Sequence, residues 1–257
     1  MREGNCRCIV VYDWGEERPL QALVEQLVML FEDAVGRPPD RCSVLEGAST
    51  DSIVVGLEEL QERVAVRAGS IAAVQIYETL PDHSQLVFGW STLGAVFCDL
   101  GKTGMFCFDS RSKAEKTKAY ATALVRACNP GYGIVYDRDY SLGPEAYALG
   151  MAAGLDYSGE GMREADSISA WFHERLSGRN RHLDGLHRDL YPGSILGKRH
   201  LSLEIEPGVA FRSWVEARPS RGGLSALAQD VWYWEVPATE RAHLKHRMRE
   251  AGLIICP

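Results

Sequence analysis

The N-terminal segment 1–36 carries a buried-strand pattern followed directly by an amphipathic-helix pattern. Residues 8–12 form a continuous apolar run, which is typical of a strand that is buried on both faces. Pro19 stands where a first helical residue belongs, apolar residues recur at helical spacing over 20–31, and Gly36 with Pro38 ends the run. The chain therefore combines strands with helices from its beginning.

The middle of the chain contains several strand patterns in succession. Residues 71–77, 85–90 and 94–98 are strand-like runs. Residues 101–104 resemble a hairpin turn, and a further strand pattern over 105–108 returns from it. Neighbouring strands of this kind predict an antiparallel meander.

Helices and strands stay interleaved to the end of the chain. Helix patterns follow a capping box formed by Ser112 and Glu115, and others follow Pro144, Ile168 and Pro237. Strand patterns cover 133–136, 231–236 and 253–256. Because these elements do not alternate as regular β-α-β units, the predicted class is α+β, with a largely antiparallel sheet and helices packed on it.

The length of 257 residues and a hydrophobic content of 46% allow a substantial core. We expect one α+β domain over 1–257, with a polar, glycine-rich candidate boundary at 154–164 between possible lobes 1–155 and 160–257. No run reaches the roughly 20 apolar residues that cross a bilayer, and a signal-peptide core is absent. These features predict a cytoplasmic protein.

Seven cysteines are present, an odd number, and no C-x-x-C motif occurs. This pattern argues against a disulfide framework and against a zinc ribbon, so structural thiols in a reduced compartment are expected. His182 and His187 are five residues apart, so they would point to opposite sides of a strand. His243 and His246 lie among basic residues, whose positive charge disfavours a divalent cation. The histidines therefore predict no metal site. Two segments that resemble phosphate loops, at 193–199 and 101–103, lack the required spacing or the following helix. No catalytic residue, metal or cofactor is predicted.

The net charge of −7 is concentrated in the segment 1–60, which holds twelve acidic and five basic side chains. Carboxylates repel phosphates, so this segment disfavours nucleic acid as a direct partner and favours a basic protein surface. A simpler interpretation is that the acids keep the protein soluble.

Two segments beside strand ends are the candidate partner-binding sites. Trp14 lies among acids between a strand and a helix, where an aromatic anchor with a charged rim could form; the alternative interpretation is that Trp14 packs in the core. An acidic cluster follows the strand at 133–136, and its alternative interpretation is a solvated turn with a local ion pair. The candidate residues are Asp13, Trp14, Glu16, Glu17, Asp137, Arg138 and Asp139.

The last third of the chain resembles a known family. The features that carry the resemblance are the runs 188–192 (RDLYP), 211–215 (FRSWV), 221–224 (RGGL) and 232–236 (WYWEV), together with Leu196, His200, Leu201 and the closing helix. Over about residues 186–257 the chain is similar to bacterial polymorphic-toxin immunity proteins of the kind called Immunity protein 52.

The resemblance implies a cytosolic antidote that blocks a toxin delivered by a contact-dependent system such as type VI secretion. The toxins paired with this family resemble restriction-endonuclease-fold nucleases, and the resemblance implies no catalytic residues. We therefore expect a non-enzymatic protein that neutralises its toxin by stoichiometric occlusion. Two alternatives stay open: a cytosolic hydrolase with a carboxylate-based site near Asp137 and Asp139, and a chaperone or adaptor that binds a secreted effector.

Overall fold

A computed structural model of the chain describes residues 5–14, 20–47, 51–77, 95–97, 102–109, 113–139, 142–151 and 160–255. These residues form a seven-stranded sheet, a three-stranded sheet and a two-stranded ribbon. Every strand pair in the three sheets is antiparallel. The predicted α+β class with a largely antiparallel sheet is therefore confirmed.

The helices and strands follow one another as β1 (Asn5–Trp14), α1 (Leu20–Val35), β2 (Arg41–Glu46), β3 (Ile53–Val55), α2 (Leu57–Arg67), β4 (Ile71–Tyr77), β5 (Ala95–Phe97), β6 (Thr103–Asp109), α3 (Thr117–Cys128), β7 (Pro130–Asp139), α4 (Pro144–Leu149), α5 (Glu160–Leu176), β8 (Gly193–Gly197), α6 (Lys198–Ser202), β9 (Glu204–Glu206), β10 (Val209–Ala210), α7 (Phe211–Glu216), β11 (Gly223–Ala228), β12 (Val231–Glu235) and α8 (Arg241–Glu250). Among the described residues, short 3-10 turns also lie at Ala68–Ser70, Ala114–Lys116, Arg181–Asp184 and Pro219–Arg221.

Strand β1 lies inside the large sheet, whose order is β11-β12-β8-β7-β1-β6-β5. It pairs with β6 on one side and with β7 on the other, so that Cys8 lies opposite both Cys107 and Tyr136. Successive side chains of a strand point to opposite faces. Ile9 and Val11 therefore enter one core, and Cys8 with its alternate neighbours enters the other.

The two faces of the large sheet are covered by different elements. Helices α1, α2 and α3 and the three-stranded sheet contribute to the first core, with Phe31 and Phe106 fully buried there. The elements that follow β7 contribute to the second core, which is rich in aromatic side chains such as Trp171, Phe211 and Trp234. The amphipathic pattern at 20–31 and the apolar run at 8–12 thus have the burial that the sequence indicates.

The structure describes only part of the predicted meander. Strand β4 pairs with β2, which also pairs with β3, in the three-stranded sheet. Strands β5 and β6 do form the expected antiparallel pair. The strand predicted at 85–90 lies outside the described residues, as does Ser112 of the predicted capping box. Strand patterns identify segments but do not specify which sheet each one joins.

Two predictions at the end of the chain are also corrected. The last helix begins at Arg241 and not at Pro237. Residues 253–255 form no strand, because only a single parallel bridge joins Ile254 to His187. Gly252 does lie just beyond the helix with a positive φ of 69°, as a residue after a helix C-terminus commonly does.

The large sheet continues across the candidate lobe boundary, because β7 from the first part pairs with β8 from the second. The division into lobes stays a prediction, and the main sheet does not separate along it. Among the described helices, none combines the length and the apolar character that a bilayer crossing requires.

Gly133, in the middle of β7, leaves no room for a side chain. A Cβ atom at this position would lie 2.6 Å from the backbone oxygen of Val10 on β1. We expect Gly133→Ala to lower the free energy of unfolding by about 1–3 kcal/mol, as overpacking commonly does. Gly223→Ala is the matched control, because its Cβ would have no neighbour within 4 Å, and it should change stability by less than about 0.5 kcal/mol. Urea denaturation of both variants measures the difference, and equal stabilities would contradict the close approach of β7 to β1.

Candidate partner-binding cleft

A cleft opens where the end of β7, helix α5, the segment 189–192 and helix α8 converge. It consists of two adjoining cavities of about 590 and 250 Å³. Tyr147, Glu164 and Asp189 line both cavities, so the two form one depression. Clefts of several hundred Å³ are typical of binding sites.

Tyr147 lies between two guanidinium groups. The carbon at the centre of each, in Arg138 and in Arg188, is 4.6 Å from the centre of the Tyr147 ring. Arg188 is buried, and its Nη2 donates to the backbone oxygen of Tyr147 at 2.8 Å. The hydroxyl groups of Tyr147 and Tyr191 are 3.2 Å apart. Cation–π contacts and hydrogen bonds thus hold the aromatic wall of the cleft in place.

Arg138 is the most enclosed charged side chain at the cleft. Its Nη1 lies 2.5 Å from Glu164 Oε1, and its Nε donates to the backbone oxygen of Leu142 at 3.0 Å. Its Nη2 is buried and has no hydrogen-bond partner among the described residues. A buried donor without a partner is costly, so a polar group of a bound molecule that reached this nitrogen would gain a strong interaction.

The remaining charges of the cleft alternate in sign. Lys245 forms an ion pair with Asp189 at 2.6 Å. Arg241 and Arg249 lie four residues before and after Lys245, so all three share one face of α8. Within the described part of the chain, the side chains of Arg241 and Arg249 have no ion-pair partner. The cleft therefore offers both signs of charge and is suited to a polar protein surface.

The three residues of the predicted cluster, Asp137, Arg138 and Asp139, have different surroundings in the structure. All three belong to β7, so the prediction that they follow a strand in a loop is wrong. Asp137 accepts hydrogen bonds from Nε and Nη2 of Arg7, at 2.8 and 2.9 Å. Arg138 and Asp137 line the smaller cavity, whereas Asp139 is half-buried at the end of the strand. Asp137 thus pairs with the neighbouring strand β1, and Arg138 pairs with Glu164 on helix α5.

The second predicted site, around Trp14, also differs from expectation. Trp14 is only 8% exposed and packs in the first core, so the prediction of an exposed aromatic anchor is wrong. Asp13 is partly buried with a positive φ of 53°, and its carboxylate forms an ion pair with Arg175. His182 Nε2 lies 2.5 Å from the same oxygen of Asp13. Glu16 and Glu17 lie outside the described residues.

Burial and pairing act in opposite directions on Asp13. Burial alone raises the pKa of its carboxyl, but the hydrogen bond from His182 and the charge of Arg175 outweigh burial, so the pKa lies below its usual value. Other acids of the segment 1–60 also have basic partners outside that segment: Asp33 with Lys116, and Glu46 with Arg63. The excess negative charge of the segment is therefore partly neutralised by bases that follow it.

Three histidines come together although their spacing does not suggest it. The rings of His187 and His200 are 5.5 Å apart, and His200 stacks on Tyr132 at 5.1 Å. His182 lies 5.8 Å from the same tyrosine ring. Burial lowers the pKa of His187 well below the usual value and that of His200 to about 3. These two histidines are therefore neutral members of the second core at physiological pH.

Sequence reasoning also missed a group of three buried cysteines, Cys6, Cys8 and Cys107. Their sulfur atoms all lie within 4.8 Å of one another, and no other set of three metal-ligating side chains is this close among the described residues. The spacing of Cys6 and Cys8 was the available signal, because residues two apart on a strand share a face. Only the pairing of β1 with β6 adds Cys107.

One buried carboxyl has a raised pKa. Burial raises the pKa of Glu145 to about 7, although a hydrogen bond from Gln75 Nε2, at 3.2 Å, opposes this effect. Glu145 does not line either cavity of the cleft.

The Asp13 network predicts a pH-dependent contribution to stability. Asp13→Asn keeps a residue that tolerates positive φ but removes the charge, so we expect a loss of about 1.5–3 kcal/mol near pH 7. The folded-state pKa is lowered, so the wild-type advantage is present above the unfolded value of about 4 and disappears as pH falls through the folded value. Chemical denaturation between pH 3 and pH 7 measures it. Asp166→Asn, at an exposed position, is the control, and a pH-independent difference for Asp13→Asn would contradict the ion pair.

One protein of known structure has a fold similar to that of this chain. The chain is similar in structure to the Pseudomonas aeruginosa T6SS protein PA0821, with a TM-score of 0.58 over 98% of this chain and 73% of that one. The sequences are 9% identical, so this likeness shows the fold alone. No protein-family model matches the chain. No curated protein matches it either.

Proposed function

We propose that this chain is an immunity protein of the type VI secretion kind, which binds a toxin and neutralises it without catalysis. The observation that carries the proposal is the fold similarity to a T6SS protein, which extends over 98% of this chain. No family model matches the chain, so the proposal does not rest on the resemblance of residues 186–257 to the Immunity protein 52 family.

The cleft is the proposed toxin-binding surface. Much of its wall comes from residues Asp189 to Pro192 and from helix α8. Tyrosine and arginine are among the residue types that most often contribute to binding energy at protein interfaces. The cleft presents Tyr147 and Tyr191 together with Arg138 and Arg241.

The toxin is inhibited because the cleft of this chain binds and covers part of the toxin surface. A polar segment of the toxin enters the cleft, where Arg241 and Arg249 attract its acidic groups and Asp166 its basic ones. Charges of both signs fix the register of the two proteins and exclude unrelated partners. Exposed acids of the segment 1–60 accelerate encounter with a basic nuclease surface, because surface charges act mainly on the association rate.

Co-expression with a toxin tests the function. The toxin is the product of the gene beside the one for this chain, expressed from an inducible promoter in a host that lacks both genes. We expect growth when the chain is present and loss of viability when it is absent, with a catalytically inactive toxin as the control for toxicity. Killing of cells that contain both proteins at verified levels would contradict an immunity function. Binding only outside the catalytic domain of the toxin would instead indicate a chaperone or adaptor.

Charge reversal on α8 tests the cleft as the binding surface. Arg249→Glu places a negative charge beside Asp166 and Asp189 and removes an attraction for the toxin, so we expect affinity to fall about tenfold, or about 1.4 kcal/mol. Arg126→Glu is the matched control, because Arg126 is exposed at the end of α3, away from the cleft. Calorimetry with the purified toxin measures both variants. Equal affinities for Arg249→Glu and the wild type would exclude this wall of the cleft.

A further inference from the structure

Three thiols meet on one face of the large sheet. Cys6 and Cys8 are two residues apart on β1, and Cys107 lies directly opposite Cys8 on β6. The sulfur of Cys8 lies 3.6 Å from that of Cys6 and 2.8 Å from that of Cys107. All three sulfur atoms lie within 4.8 Å of one another. The thiols therefore surround a common point and do not form a row along one strand.

The group is buried between paired strands, where Cys6 Sγ also donates to the backbone oxygen of Arg138 at 3.3 Å. All three cysteines have no solvent exposure and belong to the second core. Their backbone is held on both sides of β1 by β6 and β7. Met105, two residues before Cys107 on the same face of β6, adds another sulfur side chain to this region. The donors are thus soft and already gathered before any ligand arrives.

We infer that Cys6, Cys8 and Cys107 form a binding site for one soft monovalent cation of the Cu(I) class. Thiolate sulfur is the donor that selects Cu(I) and zinc over the harder cations. Protein zinc sites almost always have four ligands. Among the described residues, the group contains three cysteines and no histidine, aspartate or glutamate. Three sulfurs complete the coordination of Cu(I) and leave zinc one ligand short.

The observed spacing is close to the spacing that this coordination requires. With metal–sulfur bonds of about 2.3 Å, three sulfurs in a plane around one metal lie about 4 Å apart. The sulfur atoms here are between 2.8 Å and 4.8 Å apart, so small rotations of the side chains bring them into place. Each coordinating thiol loses its proton to solvent and donates a sulfur lone pair to copper. The oxidation state of copper does not change, so no oxidant or reductant is consumed.

The experiment uses the full, reduced chain under anaerobic conditions. Cu(I) held by a coloured chelator is titrated with the protein, and the loss of chelator colour reports transfer of the metal. We expect the wild type to remove about one equivalent of Cu(I) and to gain thermal stability in the same titration. Cys8→Ala and Cys6→Ala should lose both effects. Cys42→Ala and Cys128→Ala, at buried cysteines of the first core, are the matched controls and should keep them.

Several results would overturn the inference. One is a wild type that takes no Cu(I) from the chelator. Another is uptake that Cys8→Ala and Cys6→Ala retain, with circular dichroism showing that both variants are folded. Binding of zinc in preference to Cu(I) would also contradict the site, as would a disulfide between Cys8 and Cys107 that resists treatment with reductant. The readout does not depend on any toxin, so failure here and failure of the immunity function are distinguishable.

Discussion

The hydrogen bonds of β1 to β6 and to β7 organise the rest of the structure. This strand brings together segments that are distant along the chain, since Cys8 lies opposite Cys107 and Arg7 lies opposite Asp137. Its alternate side chains enter the two cores. It carries two members of the thiol group, the arginine that binds Asp137, and Asp13 that binds Arg175. A change in its register by one residue would exchange the two faces. The thiol group and the two ion pairs, Arg7 with Asp137 and Asp13 with Arg175, would then be lost.

A continuous set of contacts connects the second core to the cleft. This set of contacts begins in the second core with Tyr12, whose hydroxyl accepts a hydrogen bond from Arg188 Nη1 at 3.2 Å. Arg188 then packs on Tyr147, and Tyr147 packs on Arg138 at the cleft. Guanidinium groups make several directed hydrogen bonds at once, so they hold aromatic rings at a fixed orientation. The cleft wall is thereby supported by buried residues, and such support reduces the entropy that a surface loses on binding.

The sequence predicts local elements of this fold better than it predicts the site. Apolar runs located β1, α1 and β7 because burial leaves a periodic pattern in neighbouring residues. The partners of Asp13 could not be predicted, since Arg175 and His182 lie 162 and 169 residues away. The sequence also predicts the cleft only in part. Arg138 was identified as a candidate, but Tyr147, Glu164 and α8 were not. Their proximity depends on strand order and helix packing, which local patterns do not encode.

Hydrogen–deuterium exchange of the chain with and without the proposed toxin tests the central proposal most directly, namely that the cleft binds a toxin. The structure places α8 and residues 189–192 on the walls of the cleft. The account predicts that toxin binding slows exchange in these two segments and leaves α1 and α2 unchanged. Slower exchange confined to α1 and α2, with α8 and 189–192 unaffected, would contradict it and place the interface on the acidic first part of the chain.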